Sequence, residues 1–535
     1  MSSTFGTITT VRLGIYAAQK GLDVTGNNIT NINTNGYTRQ RLDQISLVVS
    51  ASDKYGSQYK ARVGQGPVLT GISQLRDPGM DISYRKANSD VGSADQMLAG
   101  LEDLAGILDE VGKGDGEQDD GVILNQLNDL RDLINQALTN GIEDYEGSIR
   151  ASANALCTQF HQYAKALEGL MEDYETQLNE DTTRVNQILT ELRDVNLQIR
   201  NSDVRGDAAL ELRDKRNLLL DELSGYMKID VTYSMVDAGG GYMVEEMSVK
   251  LADKNNPETF LVKGEYAARI GTTGQADGYK VNVYALRNKD GEKKDPNATD
   301  PVTLGDNDLY GSLQSLRELL TEEGEYASAA DSKTDPNAAS KRGIPYYIHQ
   351  LDNLAQTFAK AMNDLNSAPG MQGEGALFEA NDGTTTITAG NISISQGWAE
   401  GTVKMLSTKD PNAPTDDRSN LAQFLNLFNK KDITFDLSGI VNDVSPTAAD
   451  YTGSFESMLL RIQSTLAQDQ MAATTTVSNY AITLNNVYTD RDSITGVDLN
   501  DEATSLMVYQ KAYTAACRVL TTLEEAIDTL LNATA

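Results

Sequence analysis

The stretch from Ile8 to Ile32 reads ITTVRLGIYAAQKGLDVTGNNITNI, and its rhythm sets the fold. Ile8, Val11, Ile15, Ala18, Leu22, Thr25, Ile29 and Ile32 alternate steps of three and four, with Thr25 the one polar position. The far end keeps the same rhythm through Leu499, Leu506, Tyr509, Tyr513, Ala516, Leu520, Leu523, Ile527 and Leu530, with Glu502 the one polar gap. A period of about 3.5 residues holds a narrow apolar seam toward a partner helix. An isolated helix in water cannot bury such a seam, because nucleation and chain entropy outweigh local hydrogen bonding. Each end therefore needs a partner, and the other end is the nearest candidate.

Inward from these ends the pattern is nested. Residues 1–42 and 491–535 read as the two coiled-coil halves of an inner axial domain. Residues 43–85, punctuated by Gly56, Gly64, Gly66 and Pro67, read as short strands and an extended connector. A helical rod is expected over 86–227, with return helices over 311–368 and 453–490. Its longest element runs from Ile149 to Ile199, with a stutter at Leu170, Tyr174 and Leu178 that locally unwinds a supercoil. Two β-rich inserts are expected, at 228–310 and 369–452, the second including Thr384–Thr388 and Ile392–Ile394 as strands. Residues 323–343 read as mobile. The fold class is multidomain α+β: terminal heptad helices and an elongated helical rod carrying β-rich inserted domains. Because the two ends must return to each other, both termini are expected at one end of a long molecule.

Composition narrows the function. The 535 residues carry a formal charge of -32, from 77 acidic and 45 basic side chains. That argues against nucleic acid, whose binding rests on lysine and arginine clusters, and against an anionic membrane surface. The start, Met1 to Thr4, has no basic region and no long apolar run, so no cleaved secretory signal is expected. Cys157 and Cys517 lie on separate helical segments and read as small buried hydrophobes. His161 and His349 sit in no catalytic or metal motif. Asp115, Glu117 and Asp119 hint at a calcium loop, but Asp120 stands where that motif needs glycine and Gln126 where it needs glutamate. A solvated loop is the better reading, and no metal or cofactor is expected. Arg205-Gly206-Asp207 could be an adhesion tripeptide, but three-residue matches arise by chance and a helix connector accounts for it. There is no nucleophile elbow, P-loop, dinucleotide fingerprint or HExxH, so the chain reads as a structural protein and not an enzyme.

The seam runs into an unusual stretch, Thr25-Gly26-Asn27-Asn28-Ile29-Thr30-Asn31-Ile32-Asn33-Thr34-Asn35-Gly36-Tyr37-Thr38-Arg39-Gln40. Asparagine competes for backbone hydrogen bonds and is a mediocre helix former. A packed array of chains could use each amide as donor and acceptor. In the free monomer the segment is expected to fray. Gly14, Gly21 and Gly26 each cost a helix about 1 kcal/mol against alanine, and let neighbouring helices approach closely.

Asn27-Asn28-Ile29-Thr30-Asn31 followed by Asn35-Gly36-Tyr37 resembles the N-terminal signature of bacterial flagellar axial proteins, the rod, hook and hook-associated group. Tyr37-Thr38-Arg39-Gln40 is similar to the hook-associated protein 1 branch of that group. So are Ile494-Thr495-Gly496-Val497-Asp498-Leu499-Asn500-Asp501-Glu502-Ala503 and Tyr509-Gln510-Lys511-Ala512-Tyr513. The likeness is specific over roughly 1–42 and 490–535, fair over the central helices and weak over both inserts.

The resemblance implies a structural adaptor that joins hook to filament. It also implies type III export to the outside of the cell, axial stacking with copies of itself, and neighbours in the hook protein and the next junction protein. An export chaperone would cover the C-terminal helix before assembly. It assigns Asn27, Asn28, Asn31, Gly36, Tyr37 and Arg39 to an assembly signature. Ile8, Val11, Ile15, Leu22, Ile29 and Ile32 form the N-terminal seam. Leu499, Leu506, Tyr509, Tyr513, Leu520, Leu523, Ile527 and Leu530 form the C-terminal seam and chaperone site. The alternatives are a hook or rod protein, a secreted adhesin resting on the tripeptide, and a peptidase inserted in a flagellar protein. The last would need a metal motif in the inserts, and neither contains a histidine.

Overall fold

The architecture comes from a computed structural model, which describes residues 4–47, 64–108, 121–239, 241, 243–252, 259–274, 278–305, 307–441, 444–445 and 448–534. The fold is multidomain α+β, with terminal helices, a helical rod and a β-rich insert. Helix α1 (Thr4–Thr30) opens the chain, and β1 (Gln40–Ser46) pairs antiparallel with β2 (Pro67–Gln74). Helix α2 (Pro78–Ile107) then begins eight residues before the expected rod boundary. Asp77-Pro78-Gly79 explains the early start: the Asp77 carboxylate accepts from the Gly79 N–H, and proline at the first helical position needs no donor partner.

Helices α3 (Val122–Asn140), α4 (Glu146–Val204) and α5 (Leu210–Tyr226) follow. The 59 residues of α4 span about 90 Å at 1.5 Å each. Its stripe from Ile149 through Leu156, Phe160, Leu167, Leu178, Val185 and Leu192 to Ile199 is buried, because α3 and α5 and the sheet below cover it. The expected acidic loop at 112–120 lies outside the described residues. Arg205-Gly206-Asp207 forms the exposed turn from α4 to α5: Gly206 adopts φ +81° and Asp207 accepts from the Ala209 N–H.

The first insert is one six-stranded antiparallel meander. In order it contains β3 (Ile229–Asp237), β4 (Met243–Leu251), β5 (Phe260–Lys263), β6 (Tyr266–Thr273), β7 (Lys280–Arg287) and β8 (Val302–Thr303). Its inner face, including Val249, Leu261, Ile270 and Val281, continues the rod core. Helix α6 (Gly311–Thr321) returns the chain to the rod. The segment expected to be mobile, 323–343, is instead structured. Its Tyr326 is fully buried against Tyr346 and His349, and Asn353 donates to its hydroxyl, ahead of α7 (Ala329–Thr334) and α8 (Ile344–Asn366).

The second insert carries far less strand than expected. Two ribbons of three-residue strands, β9 (Phe378–Ala380) with β10 (Ile392–Ile394) and β11 (Ile433–Phe435) with β12 (Tyr451–Gly453), flank α9 (Gln396–Glu400) and α10 (Ser419–Asn429). Thr384–Thr388 is a turn, because Asp382 and Asn391 hydrogen-bond its backbone and hydroxyls locally. Trp398 is fully buried beside Phe378. Helix α11 (Phe455–Thr495), capped by Ser454, is continuous where two helices were expected, and α12 (Leu499–Thr534) closes the chain. Cys157 is buried and burial pushes its thiol up to about 12, so it is inert at neutral pH. His161 lies 2.8 Å from the Ile392 carbonyl, and His349 lies 3.6 Å from Glu323.

Candidate assembly site at the joined termini

Helices α1 and α12 pack against each other, so both chain ends meet in a single copy. The two helices come close at Gly21, where an added Cβ would lie 2.5 Å from the Tyr509 ring. Around it Ala17, Ala18, Val24, Thr25 and Asn28 are buried. Small residues bring the helices together, so the deepest burial falls at Ala18 and Thr25 of the stripe and at their neighbours, and not at its isoleucines and leucines. Ile8, Val11, Ile15, Leu22 and Ile29 are half-buried, as are Leu506, Tyr509, Leu520, Leu523 and Ile527. Ile32, Leu499, Tyr513 and Leu530 remain exposed in the single copy, together with Met507, Val508, Val519 and Leu531.

The asparagine stretch is not frayed. Asn28 is 1% exposed, and its Oδ1 accepts from the Gln40 N–H at 3.0 Å and from the Tyr37 hydroxyl at 2.8 Å. Its Nδ2 donates to the Gln40 carbonyl at 2.9 Å. The side chain thus serves one residue of β1 as a neighbouring strand would, satisfying both backbone groups of Gln40. Asn27 Nδ2 donates to Gln40 Oε1, and Asn31 Nδ2 donates to Asn27 Oδ1. Gly36, at φ +78°, turns the chain beside Leu218 of α5, a conformation that a side chain would strain. The amides are used within the chain, where the sequence had pointed to use between chains.

The next four residues strap the terminal pair to the rod. Arg39 Nε lies 2.7 Å from Glu502 Oε1, and the Arg39 N–H donates to the Thr495 carbonyl. Glu502 is 3% exposed; the one polar gap in the C-terminal rhythm is a buried ion-pair partner. The Thr38 N–H donates to Asp214 of α5, and Arg76 donates to the Thr38 hydroxyl. Arg76 also forks onto Asp81, Arg491 bridges Asp81 at 3.0 Å and Asp221 at 2.6 Å, and Arg85 pairs with Asp221 at 2.9 Å. This ladder ties α2, α5 and α11 together directly behind the strap.

Electrostatics at the joint follow from burial and these partners. Burial raises the Asp214 carboxyl above its ordinary range, and the hydrogen bonds from Thr38 only partly restore it. Burial, then the Asp214, Glu211 and Glu502 carboxylates, keep the Tyr37 phenol protonated well above its ordinary value. Burial works against the Arg491 charge, but Asp221 and Asp81 outweigh it and raise its pKa. Sequence reasoning did not single out Asp81, Arg85, Asp214, Asp221 or Arg491. No pattern in the chain marks them, because helices far apart in sequence bring them together. Among the described residues, no three histidine, cysteine, aspartate or glutamate side chains gather as a metal site.

Comparison with known proteins bears on this geometry. The family described as "Flagellar hook-associated protein FlgK helical domain" matches residues 123–383, and "Flagellar basal body rod FlgEFG protein C-terminal" matches 492–533. Flagellar hook-associated protein 1 of Bacillus subtilis (strain 168) is 26% identical over 548 residues, covering 99% of both chains. The chain belongs to the flagellar hook-associated protein 1 family. A further member, from Salmonella typhimurium, is 21% identical over 97% of this chain and 98% of its own. The flagellar hook junction protein FlgK of Burkholderia pseudomallei superposes with a TM-score of 0.40 at 18% identity, over 56% of this chain and 46% of that one. In this family member, the match at 492–533 falls on the end of α11 and on α12, the helix that carries Glu502 and Tyr509.

Proposed function

We propose that the chain is a structural adaptor of the bacterial flagellum that joins hook to filament, stacking along the axis with copies of itself through α1 and α12. The observation that carries this reading is the half-covered terminal pair. Its two helices meet at small residues and leave Ile32, Leu499, Tyr513 and Leu530 bare in one copy. Bare apolar side chains in a row mark a surface that a further protein covers.

Charge supports the same end of the molecule. The first 46 residues carry four basic and two acidic side chains, and the last 37 carry two and five, so nearly all of the -32 lies elsewhere. Like charge repels copies along the body and spares the termini. Asn27, Asn28, Asn31, Gly36, Tyr37 and Arg39 act by shaping the joint, and the two seams supply the stacking surface. The hook protein and the next junction protein are the axial neighbours. An export chaperone covers the α12 seam before assembly, and the chain works outside the cell after type III export, without a catalytic step. Among the described residues no helix is long and apolar enough to cross a membrane.

Deleting the gene tests the reading. Cells should build hooks without filaments and shed flagellin into the medium. Filaments of normal length and attachment would overturn it.

A further inference from the structure

The outer strand of the six-stranded sheet is bare. Strand β3 pairs with β4 on one side and with nothing on the other among the described residues. The Ala252 N–H donates to the Lys228 carbonyl, and the Leu251 N–H to the Thr259 carbonyl. By the antiparallel alternation, the even-numbered residues of β3 face β4, and the backbone groups of Val231, Tyr233 and Met235 point outward. No lysine or proline guards the strand between Asp230 and Asp237. Tyr233 is 41% exposed and Met235 58%, with Met243 exposed beside them. Proteins normally blunt such an edge with charge, proline or a covering element. Here it is held firm instead: Glu245 lies 2.8 Å from Arg213 and 2.7 Å from Arg216, and the Arg216 guanidinium sits 4.8 Å over the Tyr233 ring.

We propose that this edge is a docking strand for a second copy of the chain, which adds a strand to the sheet and so links neighbours beside the joint. The inference rests on the stacking proposed above and places a second contact on it. Charge selects the occupant. A copy carrying -32 is repelled wherever carboxylates stand alone; beside the middle of β3 they are paired, Glu245 with Arg213 and Arg216 and Asp203 with Arg213, and the exposed Asp230 and Asp237 stand only at the strand's two ends. The matching strand is also present. The Leu75 N–H donates to the Arg39 carbonyl and the Leu47 N–H to the Gly66 carbonyl, so Gln44 and Ser46 of β1 turn their backbone groups away from β2. Asn28 occupies the other end of that edge, at Gln40, and among the described residues no strand pairs with this end. Ile45 and Leu47 are exposed there. Two different edges meeting head to tail suit a polar array, because such contacts repeat without a two-fold axis.

The geometry supplies a selective variant. Met235→Pro removes only an outward N–H, so the β3–β4 ladder survives; proline is tolerated in edge strands on that side. The purified full-length variant should melt within about 3 °C of the parent, while the chain recovered with isolated hooks falls at least about tenfold. Recovery equal to the parent overturns the proposal. A second variant does not depend on proline: Gln44→Cys with Met235→Cys in a Cys517→Ser background, treated on isolated hooks with a short bis-maleimide. Bands of two and more chains support the docking strand. Chains that come down with hooks yet run only as monomers overturn it and leave the stacking reading intact. Absence of the chain from the hook fraction overturns both.

Discussion

The Glu502 carboxylate sits almost wholly out of water, with Arg39 at 2.7 Å as its close partner. Removing one member of a buried pair leaves the other uncompensated, which costs about 3–5 kcal/mol in full burial. Arg39 keeps a quarter of its side chain exposed, so Arg39→Ala should cost the terminal pair about 2–3 kcal/mol. Hydrogen exchange across 499–510 should accelerate accordingly, and combining Arg39→Ala with Glu502→Gln should recover most of the loss. Asn28 is the parallel case without charge. Asn28→Ala strands the N–H and C=O of Gln40, at about 1–3 kcal/mol for each buried group left unmade. The expected readout is early protease cleavage between residues 30 and 46. Both residues stood out in the sequence, but for other work: Glu502 read as an interruption of the heptad rhythm, and Asn28, in the asparagine-rich stretch, as an intermolecular amide. Periodicity reports which face is apolar, and says nothing of which polar residue that face must swallow.

Among the elements, α4 and the α1–α12 pair give opposite lessons. The stripe on α4 was legible because core burial on a long helix follows spacing alone. The contact between α1 and α12 was legible as a pairing but not in its depth, because Ala17, Ala18 and Gly21, not the leucines and isoleucines, set the approach. Gly21→Ala therefore pulls two ways. It favours the isolated helix by about 1 kcal/mol, yet its Cβ would meet the Tyr509 ring. The pair should loosen, and Tyr509→Leu should partly restore it, as read by cross-linking yield between α1 and α12. The short strands of the second insert were misread for a related reason: a run of threonines has strand propensity, but Asp382 and Asn391 offer the backbone a local alternative.

On α4 itself, burial and then the neighbouring Glu180 charge raise the Asp181 carboxyl to about 6. The folded state therefore holds its proton at a pH where the unfolded chain has lost it. Stability falls as pH climbs from about 4 to about 6, and stays lower above that. Asp181→Asn should stabilise the fold at pH 7.5 by about 1 kcal/mol given the solvent the group retains, read as a higher melting temperature, and should change little at pH 3.5.

At the scale of the whole molecule, the rod core and the terminal pair are separate stores of stability. The continuous buried cluster runs from Leu101 through the sheet to Leu466 and includes no residue of α1 or α12. Leu520→Asp should therefore leave the main melting transition within about 2 °C while abolishing addition to hooks. A large shift of that transition would mean the ends and the body unfold as one. The expected nested order of ends, rod and inserts rested on changes of rhythm along the chain. The ladder of Arg76, Asp81, Arg85, Asp221 and Arg491 was not legible, since three stretches of chain far apart in sequence contribute to it.

Arg39 and Glu502 are 463 positions apart in the chain. The first helix to be made must wait for the last one before either has a mate, and a copy that ends between α11 and that final helix keeps the whole buried core of its body but can never close its foot. The latch thus tests each molecule for the presence of α12: without it, Arg39 has no Glu502 and α1 no mate.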